Sequence, residues 1–118
     1  MWHVKCLHFE KINLTTMDNT KIKVGIIGFG RMGGKYLDKF LKNGRYDVAY
    51  ICDVNKEARD YAAKLSPSST IVADEQIVFE DPKVQVVALC TLANFRKEQI
   101  DKAVRYGKHI ISEKPVAD

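Results

Sequence analysis

The stretch "KVGIIGFGRMGGKY", residues 23–36, runs from an apolar segment straight into glycines at 25, 28, 30, 33 and 34. Such a segment suits a strand buried on both faces of a parallel sheet. Gly28, Gly30 and Gly33 spell G-x-G-x-x-G between that strand and a helical stripe of Tyr36, Leu37, Phe40 and Leu41. Each glycine has a physical task at this spacing. Gly28 permits the tight turn, Gly30 lets a pyrophosphate approach the main chain, and Gly33 lets the helix pack close to the sheet. Around Arg31 and Met32 the helix start offers unpaired N–H groups and the positive end of its dipole to phosphates.

Twenty positions beyond Gly33, Asp53 ends a second apolar strand, "DVAYICD", residues 47–53. A carboxylate there accepts hydrogen bonds from ribose hydroxyls. A glycine motif alone is weak, and a structural turn beside a strand-ending acid is the alternative. Strand, glycines, helix and acid together point to a dinucleotide site. Two like charges about 4 Å apart repel by roughly 1–4 kcal/mol. Asp53 therefore favours NAD, with NADP the less favoured cofactor, while Lys56 and Arg59 lie close enough in sequence to oppose that preference.

Outward from this core, Asn55 can cap a helix with Ala58, Tyr61, Ala62 and Leu65 on one stripe, ended by Ser66-Pro67. "STIVAD" reads as a third strand, Asp74 to Glu80 as a short helix, and "KVQVVALCT" as a fourth strand. Asn94 to Tyr106 reads as a helix burying Ile100, Ala103 and Val104, and "KHIIS" as a fifth strand. Strand and helix thus alternate five times with short connections. The expectation is α/β: a Rossmann-type doubly wound parallel sheet, strand order 3-2-1-4-5, in a single domain over residues 21–118. Residues 1–20 show no periodicity and are expected to form a poorly ordered tail, with Met17 a natural start.

The chain has 118 residues, 46% hydrophobic and 29% charged, as a soluble globular domain does. No apolar run approaches the roughly 20 residues of a membrane span. Lys5, Glu10 and Lys11 interrupt any secretory signal, so a cytoplasmic location is expected and no membrane partner. The net charge of +4 comes from cations interleaved with acids. Without a basic block, nucleic-acid binding is not expected, only a mild attraction for anionic small ligands. Three cysteines without a CxxC pair give no disulfide framework, and Cys52 and Cys90 read as small core residues. His3, Cys6 and His8 lack a fourth ligand, so no metal is expected.

"VGIIGFGRMG" (24–33) and "ALCTLANFRKEQIDKAVRYGKHIISEKP" (88–115) together resemble the amino-terminal half of the Gfo/Idh/MocA oxidoreductases. The resemblance covers Lys21 to Asp118, and Gly107 to Pro115 is its most specific part. It implies hydride transfer between a nicotinamide and a sugar, cyclitol or related polyol. Lys114 is then the catalytic residue beside nicotinamide and substrate, with Thr91 and Glu113 at the cofactor and Pro115 shaping the loop. Spacing alone would read Glu113 and Lys114 as an exposed ion pair before a proline stop.

Two departures stand out. Relatives commonly carry T-P-N-x-x-H, where this chain has Thr91-Leu92-Ala93-Asn94-Phe95-Arg96. Relatives also continue into a second domain holding most of the substrate site. The chain is therefore expected to bind a dinucleotide, to transfer hydride negligibly by itself, and to self-associate weakly as a homo-oligomer through uncovered apolar surface. Other readings are a non-catalytic NAD(H)-binding or sensing module and an S-adenosylmethionine-binding fold. The E-K-P segment and the glycine spacing speak against the last.

Overall fold

The computed structural model describes residues 2–4 and 21–112. In chain order they form β1 (Trp2–Val4), β2 (Ile22–Ile27), α1 (Arg31–Lys42), β3 (Tyr46–Cys52) and α2 (Lys56–Leu65). Then come β4 (Thr70–Val72), α3 (Glu75–Glu80), β5 (Val86–Leu89), α4 (Ala93–Arg105) and β6 (His109–Ser112). The sheet order is β1-β6-β5-β2-β3-β4. Strands β2 to β6 are parallel and stand in the expected 3-2-1-4-5 order.

Alternate residues of β2 face opposite layers, as a strand's period of two requires. Ile22, Val24 and Ile26 pack with Tyr36, Leu37 and Phe40 of α1 and Ala62 of α2. Ile27 packs on the other face with Val78 and Phe79 of α3 and Ala103 of α4. Gly25 shares that second face, where a Cβ would overlap the Val78 side chain, so its task is to seat α3 on the sheet. Beside it the register with β3 slips: Val24 pairs with Val48, but Gly25 with Tyr50. The extra residue, Ala49, puts Val48 and Ile51 on the first face while Tyr50 and Cys52 turn to the second. Ile27 pairs with both Cys52 and Leu89, so three strands end level. Their following loops open on one edge.

The helix ends follow local chemistry. After α4, Gly107 takes φ +73, Lys108 N donates to Ala103 O at 2.8 Å, and Gly107 N donates to Val104 O at 3.1 Å. That paired bonding is the Schellman stop for which glycine is favoured. It turns Lys108 under the sheet, 3% exposed, where its ammonium donates to Asp81 O at 2.7 Å and Val84 O at 2.8 Å.

Several expectations need amending. Residues 2–4, expected within a poorly ordered tail, pair antiparallel with β6, Trp2 opposite Ser112. A sheet edge presents unpaired N–H and C=O groups that any extended segment can satisfy, and periodicity does not reveal such a strand. On α2 only Ala62 of the predicted stripe is buried, because β4 beneath it is three residues long; Tyr61 and Leu65 are exposed. Leu41 and Val104 are exposed as well. Among the described residues, no helix is long and apolar enough to cross a membrane.

Candidate functional site

At the carboxyl edge of the sheet the first glycine is dictated by geometry. Gly28 has φ +92, and its N–H donates to Cys52 O at 2.7 Å. A Cβ there would lie 2.8 Å from Thr91 Cγ2 and 3.0 Å from the Cys90 carbonyl. At Gly33 a Cβ would overlap Gly28 O, so α1 starts directly on the turn. Gly30 is different: a Cβ there would meet nothing within 4 Å. The space over it is open to a ligand.

Helix α1 begins without the usual satisfaction of its donors. Gly30 is its N-cap and supplies no side-chain acceptor, and its first turn, with Arg31 and Met32, holds no acid. By contrast, Asn55 Oδ1 accepts from Glu57 N at 2.8 Å at the start of α2. Asp74 Oδ1 likewise accepts from Gln76 N at 2.9 Å at the start of α3. Both of those helices add an acid, Glu57 or Glu75, in the first turn. An open approach over Gly30 and a bare, uncompensated helix start fit a phosphate group.

Asp53 stands across from this turn and also braces it. Its Oδ2 accepts from Phe29 N at 2.7 Å, inside the glycine motif, and its Oδ1 accepts from Asn55 N at 2.8 Å. A carboxylate offers about four lone-pair sites. Two remain for ribose hydroxyls, and the half-buried side chain lines the cleft. The two cations closest in sequence to Asp53 both have partners within the chain. Lys56 Nζ pairs with Asp60 at 2.8 Å, and Arg59 Nη1 donates to the carbonyls of Asp53 and Val54 at 3.0 and 2.9 Å.

The cleft, about 370 Å³, lies at the switch point between β2 and its neighbours. Gly28, Asp53 and Thr91 come together on its lining, joined by Asp74, Glu75, Gln99 and Lys102. The last three were not legible as site residues. Gln99 Nε2 donates to Glu75 Oε1 at 2.9 Å, Thr91 Oγ1 to Gln99 Oε1 at 2.6 Å, and Lys102 Nζ to Glu75 Oε2 at 3.1 Å. Their only sequence signal is polar residues spaced three apart, 99 and 102, on a helix otherwise read for its apolar face. Burial pushes the Cys52 thiol up to about 12, reinforced by the negative charges of Glu75, Asp53 and Asp74.

Arg96, the last residue of the stretch that departs from the expected T-P-N-x-x-H pattern, is 8% exposed, and its Nη2 donates to Thr91 O at 3.0 Å. It holds the loop after β5 from beneath. Glu113, Lys114 and Pro115, like Cys6 and His8, lie outside the described residues.

Known proteins resemble this chain in sequence and fold. The chain is 34% identical over 98 residues to an inositol 2-dehydrogenase/D-chiro-inositol 3-dehydrogenase of Lactiplantibacillus plantarum, covering 80% of this chain and 28% of that protein. It is 29% identical over 102 residues to an inositol 2-dehydrogenase of Rhodococcus erythropolis, covering 84% and 29%. Among solved structures, scyllo-inositol dehydrogenase from Lactobacillus casei with bound cofactor NAD(H) and scyllo-inositol superposes with TM-score 0.76 at 25% identity, covering 83% and 29%. The WlbA dehydrogenase from Bordetella pertussis in complex with NADH and UDP-GlcNAcA gives TM-score 0.77 at 25% identity, covering 83% and 29%. The chain thus spans under a third of the length of the curated relatives it matches. Residues 22–118 match the family described as "Oxidoreductase family, NAD-binding Rossmann fold", and the chain belongs to this GFO_IDH_MocA family.

Proposed function

We propose that this chain is the cofactor-holding part of a dehydrogenase that moves hydride between NAD(H) and an inositol-like cyclitol, a sugar or a related polyol. The observation that carries the reading is the bare start of α1 behind Gly28, Gly30 and Gly33, with Asp53 level with it on the next strand. The main-chain N–H groups at Gly30, Arg31 and Met32 would receive the pyrophosphate. Asp53 would accept from the adenosine ribose. Among the described residues lining the cleft, the carboxylates Asp53, Asp74 and Glu75 outnumber the ammonium of Lys102, which supports NAD(H) over NADP(H). Inositol dehydrogenases among the relatives support the polyol class.

When bound, the dinucleotide supplies the nicotinamide that accepts or returns the hydride. Lys114 would polarise the substrate hydroxyl or carbonyl, with Glu113 beside the cofactor. Holding two reactants in attack geometry can account for roughly 7–11 kcal/mol of barrier lowering. This chain spans under a third of the length of its curated relatives, so it is expected to bind cofactor but to turn over far more slowly than an intact dehydrogenase. A reducing cytoplasm suits the chain, whose Cys52 thiol is buried and outside any disulfide.

A second reading, a non-catalytic NAD(H)-binding module, is favoured by the buried Arg96 in place of histidine beside Thr91. Calorimetric titration with NADH, NADPH and S-adenosylmethionine tests the cofactor assignment. Saturable NADH binding, weaker NADPH and no heat from S-adenosylmethionine are expected. Binding of S-adenosylmethionine without NADH would overturn it. Turnover of a polyol panel at about 1 per second or faster would overturn the assignment of a cofactor-holding part alone.

A further inference from the structure

One wall of the cleft carries a hydrogen-bond chain whose direction is fixed from one end. Glu75 is flanked by the Lys102 ammonium at 3.1 Å and by Gln99 Nε2 at 2.9 Å. A carboxylate beside an ammonium only accepts, so Gln99 must turn its amide nitrogen toward it. The Gln99 carbonyl oxygen then faces Thr91, with Oγ1 at 2.6 Å. A carbonyl cannot donate, and the Thr91 hydroxyl has one proton. That proton goes to Gln99, and the lone pairs of Thr91 are what remain for the cleft. Gln99 is 3% exposed, and a flipped amide would set its oxygen against the Glu75 carboxylate and its nitrogen against the Thr91 hydroxyl.

We infer that Gln99 is a positioning residue that makes Thr91 an obligate acceptor toward the dinucleotide, so that Thr91 serves a hydroxyl or amino group of the cofactor and never a phosphate oxygen. This rests on the NAD(H) site proposed above. The phosphates are left to the bare N–H groups of α1, and Thr91 reads a donor on the nucleoside portion.

The test is NADH affinity in three variants. Thr91→Val keeps a methyl beside Gly28 and removes the oxygen, and is expected to weaken NADH roughly three- to tenfold, the worth of one net hydrogen bond. Gln99→Leu frees the Thr91 hydroxyl and should weaken NADH similarly, with no further loss in the double variant. Gln99→Glu keeps an oxygen toward Thr91 but sets a second carboxylate against Glu75. Around that pair stand Lys102 on α4, Asp74 before α3, and Asp53 and Cys52 at the end of β3. A proton shared between the two carboxylates replaces the amide hydrogen, so affinity is expected to return toward wild type at acid pH and to fall as pH rises. The profile is read as the difference from wild type measured alongside, and a merely structural Gln99 would not produce that difference.

Unchanged affinity in Thr91→Val, additive losses in the double variant, or a flat pH profile in a folded Gln99→Glu would overturn the inference. If Gln99→Glu does not fold, additivity of the other two decides. A wild-type chain that binds no NADH would instead overturn the proposed function.

Discussion

At the carboxyl edge of the sheet, α1 starts on Gly30 with no side-chain cap and no acid in its first turn. At the amino edge, the Lys108 ammonium is buried to satisfy two carbonyls, Asp81 O and Val84 O, of the turn before β5. The Tyr50 hydroxyl donates to Asp81 Oδ2 at 2.7 Å in the same corner. One edge of the sheet leaves backbone donors open over a cleft, and the other spends a charged side chain to close backbone acceptors. Burial opposes the charge on Lys108 while Asp81 supports it, so that closure has a cost. The difference separates groups held ready for a ligand from groups that only maintain the fold.

Substitutions should divide along the same line. The largest effect is expected at Gly33, where α1 starts against the turn at Gly28. Gly33→Val drives a side chain into Gly28 O, and the loss is expected to be roughly 3 kcal/mol or more, above ordinary overpacking because the obstacle is backbone. Urea unfolding measures it. Lys108→Met comes next: it takes the ammonium from the buried Val84 carbonyl, while Asp81 O keeps the Val84 N–H at 3.1 Å, and it removes a buried charge, so about 1–3 kcal/mol should be lost, with NADH affinity of the folded fraction unchanged. A parallel fall in affinity would show that the amino edge is coupled to the cleft.

The third effect is confined to alkaline pH. The folded chain keeps the Cys52 proton from the ordinary value of 9.0 up to about 12, where the unfolded chain has lost it. Its contribution is fully present below the unfolded value and disappears as pH rises through that window. Tyr50, raised by its hydrogen bond to Asp81, acts with the same sign. Cys52→Ala should therefore flatten the alkaline limb of a stability–pH curve, and native Cys52 should resist alkylation at neutral pH. The smallest stability effect is expected at Gly30. Gly30→Ala meets nothing within 4 Å, so unfolding should shift by under about 0.5 kcal/mol. NADH affinity should nonetheless fall at least tenfold, because the new methyl occupies the phosphate approach.

Much of this was legible in the residues. The apolar runs ending at Ile27, Cys52 and Leu89 give three buried strands, and G-x-G-x-x-G before a helix places the turn that Gly28 and Gly33 make. Those signals are local, with fixed periods and spacings. Asp53 was legible as an acid at a strand end, but its bonds to Phe29 N and Asn55 N were not, since they depend on where β3 ends relative to β2. Gly25 stands in the apolar run before the motif and had no legible task, yet it answers to Val78, fifty-three positions away. Glu75, Gln99 and Lys102 meet only because α3 and α4 pack on one face. No period records such a meeting. Strand β1 was missed for the related reason that an edge takes its partner by main-chain bonding, without asking for a side-chain pattern.

The central claim is that the open edge, and only that edge, is the cofactor site. Backbone amide NMR of the wild-type chain during an NADH titration tests it directly. Saturable shifts are expected at Gly28, Gly30, Arg31, Met32, Gly33 and Asp53, with Lys83, Val84 and Lys108 at the closed edge unmoved. Shifts at the closed edge with silence across Gly28 to Gly33 would contradict it.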